Sequence, residues 1–278
     1  MGRSARLALF GHTNPFLGLV FLVRSGVARG SVVVIRRTTT KPDRVVFRTG
    51  GMQIQQRPGD PAGRRGPRPS VRVLRSRVDE PRTVVLALHG GRATSDDPVR
   101  THQLAYRRML AVARSVRRAA AGSAVQVWLL RYRVRGWNEP RLDALADARW
   151  ALRQVEEQHP GARVLLVGHS LGGRVALRLA GEQRVRGVCA LAPWVEPGEP
   201  VEQLAGRVVL IAHGDADRVT SPAESAEFAR RALQLPRPPS LTYVRVPGAG
   251  HAMLRRWTEW EALTRRFARA LIVEEELR

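Results

Sequence analysis

Beyond about residue 80 the apolar and polar positions fall into two alternating periods. Residues 83–88 (TVVLAL) are a short unbroken apolar run, the pattern of a strand buried on both faces. In 99–120, Ala105, Met109, Val112, Ala113 and Val116 recur on one face of a 3.6-residue period, which predicts a helix. The same alternation predicts strands at 125–130, 163–167, 185–191, 208–212 and 241–246. It predicts helices at 142–158, 171–181, 222–235 and 252–273, the first stopped by His159-Pro160-Gly161. Strands alternating with helices need crossover connections. The expected fold class is therefore α/β, a mostly parallel sheet with helices on both faces.

Residues 1–80 hold no sustained period. Short strands are expected at 32–35 and 45–47, and residues 57–70 are rich in Pro, Gly and Arg, the composition of a linker. Val71, Val73 and Val78 suggest an opening edge strand. The chain thus divides into a basic N-terminal extension, 1–70, expected to be poorly ordered, and an ordered domain, 71–278.

Composition changes this picture in two places. Apolar residues at 44% exclude wholesale disorder, whereas a net charge of +23 raises the question of an anionic partner. Lys41 is the only lysine, so nearly all the charge is arginine. A surface selected for phosphate usually keeps lysine as well. The arginine therefore reads as compositional bias, although residues 1–80 carry 16 basic against 4 acidic residues. Few aromatics accompany it and no nucleic-acid fold is apparent, which argues against nucleic acid as the partner. The single cysteine, Cys189, lies in an apolar run and is expected to be buried and inert. No Cys/His group has zinc spacing, so no metal site is expected. No apolar stretch reaches the roughly 18 residues of a membrane span. The run 17–23 is followed by no clean signal-peptidase site, and a cytoplasmic location is expected.

In open α/β sheets, ligands bind beyond the carboxyl ends of the strands. There the chain places Gly168-His169-Ser170-Leu171-Gly172, G-x-S-x-G between a predicted strand and a predicted helix. A serine on such a tight turn has its hydroxyl lifted above the sheet and the helix N-terminus behind it. Serine needs a base, and His251 follows the last predicted strand. Two acids follow strand 208–212, Asp215 and Asp217. The order Ser170, Asp, His251 is one of the known triad orders.

On these motifs residues 71–278 resemble the α/β-hydrolase-fold serine hydrolases, of the esterase-like kind. The resemblance implies that the acid is the Asp of H-G-x-x-D, here Asp217 in HGDADRV, although Thr220 stands where relatives with H-G-x-x-D-x-x-V carry the valine. It also implies an oxyanion hole from the N–H of Gly91 in LHGG and of Leu171. His89, His169 and His213 take structural places in that pattern, with His169 also at the pocket wall. Residues 131–138 resemble a loop that borders the pocket in this fold, which makes Trp137 a lining candidate beside Trp194. Arg92, next to Gly91, is either a contact for an anionic substrate group or simply solvated. Residues 192–206 are too few for the cap domain that many relatives carry there. The expected activity is hydrolysis of a small ester, thioester or amide through an acyl-enzyme, with no cofactor. An acyltransferase, a cofactor-free haloperoxidase and a non-catalytic binding protein remain alternatives.

Overall fold

The computed structural model describes residues 66–74 and 78–276. Most of the 1–70 segment, including the strands expected at 32–35 and 45–47, lies outside the described residues. The described chain runs β1 (Ser70–Leu74), β2 (Thr83–Leu88), α1 (Leu104–Ala119), β3 (Val125–Arg131), α2 (Asp143–Gln158) and β4 (Arg163–His169). It continues through α3 (Leu171–Arg178), β5 (Val185–Leu191), β6 (Val208–Gly214), α4 (Pro222–Ala232), β7 (Ser240–Val246) and α5 (Trp257–Glu276). A single 3-10 turn, Glu202–Leu204, interrupts the connection between β5 and β6.

The sheet order is β1-β3-β2-β4-β5-β6-β7. Only β1 is antiparallel, pairing Ser70 with Arg131 and Leu74 with Val127 at the edge. The parallel strands are covered on both faces, so β2 is buried at all six positions, as its unbroken apolar run requires. Successive connections leave β2 in one direction, toward β3, and leave β4 in the other, toward β5. Right-handed crossovers must then put α1 on one face and α2 and α3 on the other. The contacts agree: α1 packs on α5, and α2 packs on α3. The reversal of winding between the adjacent strands β2 and β4 is a topological switch point, the place where such sheets bind ligands.

Several helix boundaries fall inside the expected ones, for local reasons. Residues 99–103 stay out of α1 because Pro98 bridges Val134 and the Val99 N–H bonds the Arg133 carbonyl. Leu142 takes φ 52° and acts as N-cap, so α2 starts one residue late. Met253 and Arg256 also have positive φ, 57° and 61°, which holds 252–256 out of α5. The strands β4 and β6 run two residues further than expected, to His169 and Gly214.

Residues 192–207 form the short β5–β6 connection and build no cap. No helix among the described residues is long and apolar enough to cross a membrane. Cys189 on β5 is fully buried, and burial pushes its thiol up to about 12. We expect iodoacetamide to leave Cys189 unmodified in the native protein and to label it in denaturant. Rapid stoichiometric labelling of folded protein would contradict the packing of β5.

Candidate active site

Ser170 is the single residue between β4 and α3, and it carries φ 56° and ψ −120°. A non-glycine residue in that region costs about 1–3 kcal/mol. The surrounding glycines make the turn possible. A Cβ on Gly168 would stand 2.1 Å from the Gly172 carbonyl oxygen, and a Cβ on Gly172 would stand 2.1 Å from that of Leu88. The elbow is held by the Ser170 N–H on Leu191 O at 3.0 Å. The Ser170 carbonyl in turn accepts the N–H groups of Arg174 and Trp194, both at 3.1 Å.

His251 comes from the loop after β7 and meets Ser170 directly. Its Nε2 lies 3.0 Å from Ser170 Oγ, and its Nδ1 lies 2.9 Å from Asp217 Oδ2. A carboxylate only accepts, so Nδ1 carries the proton and Nε2 is left to accept from the serine hydroxyl. Asp215 is not part of this chain: it accepts from the Gly248 N–H at 2.6 Å and from Arg245 at 3.2 Å, bracing the turn after β7.

Asp217 is crowded with donors. Its Oδ1 accepts the N–H groups of Val219 at 2.8 Å and Thr220 at 3.0 Å. Its Oδ2 accepts from His251, from the Thr220 hydroxyl at 3.0 Å and from His213 Nε2 at 3.2 Å. The other nitrogen of His213 accepts from the Ser225 hydroxyl at 2.8 Å, which fixes its tautomer. Burial raises the Asp217 carboxyl, but bonds from His213, His251, Thr220 and Val219 outweigh it and hold the group far below the usual carboxylate range. Sequence reasoning gave Thr220 no part in the site. The signal was present: in D-x-x-T the aspartate side chain takes the N–H groups two and three residues on, as in an Asx turn, and this places the threonine hydroxyl beside it.

The turn after β2 lies against the serine. A Cβ on Gly91 would meet both the Leu171 side chain and the Arg135 carbonyl at 2.3 Å, so only glycine fits. His89 is buried, and burial lowers its imidazole to about 4, so it is neutral at ordinary pH. Its Nδ1–H donates to Gly90 O at 2.8 Å while Nε2 accepts the Tyr132 N–H at 3.4 Å. Because the peptide unit is planar and trans, fixing the Gly90 carbonyl also fixes the opposite direction of the Gly91 N–H. Among the described residues neither the Gly91 N–H nor the Leu171 N–H has a hydrogen-bond partner.

The remaining expected residues scatter. His169 is buried, and its Nε2–H donates to the His251 carbonyl at 2.9 Å, tying the elbow to the loop that carries His251. Burial first, then His251 and Arg108, push its imidazole down to about 3. Arg92 is exposed, and its backbone N–H bonds Arg135 O at 2.8 Å. Trp137, a lining candidate from the sequence, is 1% exposed and closed off from solvent. Its ring and that of half-buried Trp194 grip the guanidinium of Arg174, at 4.6 and 4.5 Å from the ring centres. A pattern read along the chain cannot show that α3 places an arginine between them.

Residues 84–209 match the alpha/beta hydrolase family. None of the curated proteins matches the chain in sequence. Among solved structures, an alpha-beta serine hydrolase homologue from Coxiella burnetii is similar at 20% identity and a TM-score of 0.55, over 71% of this chain and 90% of that one. A lid-less serine hydrolase from Xanthomonas campestris is similar at 20% identity and a TM-score of 0.51, covering 72% and 87%. A putative alpha/beta hydrolase from Agrobacterium tumefaciens is similar at 18% identity and a TM-score of 0.57, covering 74% and 92%. At these identities the likeness speaks to the fold.

Proposed function

Starting from the α/β-hydrolase fold that this chain has, we propose that it is a serine hydrolase acting on a carboxylic ester or a related thioester or amide. The observation that carries this reading is the hydrogen-bonded chain Ser170 Oγ, His251, Asp217 at the switch point of the sheet. Ser170 Oγ attacks the acyl carbon as His251 Nε2 takes its proton. The C–O π bond opens to an oxyanion, which the Gly91 and Leu171 N–H groups receive. Collapse expels the leaving group, which takes the proton back from His251 and leaves an acyl-Ser170 ester. Water, deprotonated by His251, then attacks that ester, and the carboxylic acid departs as Ser170 regains its proton. Asp217 keeps the proton of His251 on Nδ1 and stabilises the imidazolium.

The catalytic unit assigned to this chemistry is residues 71–278, and all the groups it uses belong to the chain. Its substrate would be a small acyl compound, since the short 192–207 connection builds no cap over the site. We assign the protein to the cytoplasm. The test is labelling of purified protein with a fluorophosphonate probe beside a panel of p-nitrophenyl esters. Labelling with turnover supports the reading, and a folded protein that does neither refutes it.

The oxyanion assignment makes its own prediction. His89→Leu keeps similar bulk but removes the bond that orients the Gly90–Gly91 peptide. Losing one oxyanion donor outright costs about 10²–10³ in rate, and we expect His89→Leu to lose a large part of that in kcat with KM little changed. Wild-type kcat in the folded variant would exclude His89 from setting the Gly91 N–H.

A further inference from the structure

The buried cation Arg174 lies one helical turn after Ser170, and its side chain is 3% exposed. Its Nη2 pairs with Glu196 and Glu199, both at 2.8 Å, and the Glu199 side chain is 1% exposed. Its Nε and Nη1 are buried with no hydrogen-bond partner. The indoles of Trp137 and Trp194 lie against the same guanidinium, at 4.6 and 4.5 Å from the ring centres. As a stability device this is a poor choice. A buried ion pair rarely outperforms well-packed apolar side chains of similar volume.

Its place in the fold suggests what it does. The Trp194 N–H and the Arg174 N–H share the Ser170 carbonyl, so one side of the stack is fixed to the nucleophile turn. On the other side the Trp137 N–H bonds Arg92 O at 2.8 Å, directly after Gly91. Arg92 in turn is tied to Arg135 O, and the Gly136 N–H bonds Ser95 O at 3.0 Å. The stack is thus a bridge from the loop of one oxyanion donor, Gly91, to the helix that starts with the other, Leu171. The glutamates extend it to the β5–β6 connection: Glu199 also pairs with Arg178, and its carbonyl accepts Arg231 at 2.8 Å.

We propose that Arg174, clamped between Trp137 and Trp194, is a positioning residue that sets the spacing of the Gly91 and Leu171 N–H groups around the oxyanion. The proposal rests on the serine-hydrolase reading. An oxyanion hole works only if both donors stand at hydrogen-bond distance from the developing charge, not from the ground-state carbonyl. Shifts of about 1 Å can cost up to 10²-fold in rate. The stack adds a side-chain brace between the two loops beyond the pairing of β2 with β4.

Arg174→Lys is the sharpest test, because it keeps a charge for Glu199 but removes the planar face. We expect a folded variant with kcat for p-nitrophenyl acetate down by about 10- to 100-fold and KM nearly unchanged. Affinity for phenylboronic acid, which adds to the serine as a tetrahedral anion, should fall by the same factor as kcat/KM. A purely structural role would lower thermal stability and leave the kcat and boronate affinity of the folded protein intact, and that result overturns the proposal. Should Arg174→Lys not fold, Trp194→Phe keeps a smaller ring at a half-buried position. A parallel loss of kcat and boronate affinity there supports the proposal, and wild-type values overturn it. A wild type that neither labels nor turns over refutes the hydrolase reading itself, and this proposal with it.

Discussion

Ser170→Ala is expected to abolish ester hydrolysis and fluorophosphonate labelling while the protein stays folded. In serine enzymes, removal of the nucleophile costs about 10⁶ in kcat, and a residual 10³–10⁴ over water survives from the oxyanion hole and binding. The fold should tolerate the change. Alanine meets the same backbone penalty at φ 56° that serine already carries. The backbone bonds that hold the turn, to Leu191, Arg174 and Trp194, do not use the hydroxyl. Only the contact with His251 Nε2 is lost, and that imidazole is 16% exposed and can turn to water. The readout is labelling and initial rates beside a thermal melt. Full labelling of the alanine variant would remove Ser170 from the mechanism.

Asp217→Asn should be the second-largest loss, about 10⁴ in kcat by the precedent of buried triad carboxylates. An amide cannot satisfy this site. With its oxygen toward the Val219 and Thr220 N–H groups, its NH₂ faces His251, His213 and the Thr220 hydroxyl, all of them donors now. His251 then moves its proton to Nε2 and cannot accept from Ser170. Labelling should slow in proportion to kcat, because both need the activated serine. Asp215→Asn is the control, since Asp215 bonds Gly248 and Arg245 and stays outside the chain to Ser170. An active Asp217→Asn beside an inactive Asp215→Asn would reverse the assignment of the acid.

The two aspartates show how far the sequence could be read. From residue order alone both stood after the same strand. The H-G-x-x-D pattern points to Asp217, and in the structure it is Asp217 that reaches His251. Parallel strands declared themselves because burial on both faces leaves an unbroken apolar run, so β2 and β5 match their expected bounds. Helix starts were less legible. α1 begins late because residues 98 and 99 pair with the loop after β3, an attachment no local pattern records.

The sequence by itself determined the order of strands and helices, the strand-turn-helix around Ser170, and the loops that carry His251, Asp217 and Gly91. These follow from local periodicity and from glycines whose spacing is imposed by close backbone approach. The tertiary structure alone decided which groups surround those residues. It put Thr220 and His213 on Asp217, turned His169 toward the His251 carbonyl, and closed Trp137 and Trp194 on Arg174. Those partners come from different strands and loops, and only the winding of the sheet brings them within bonding distance.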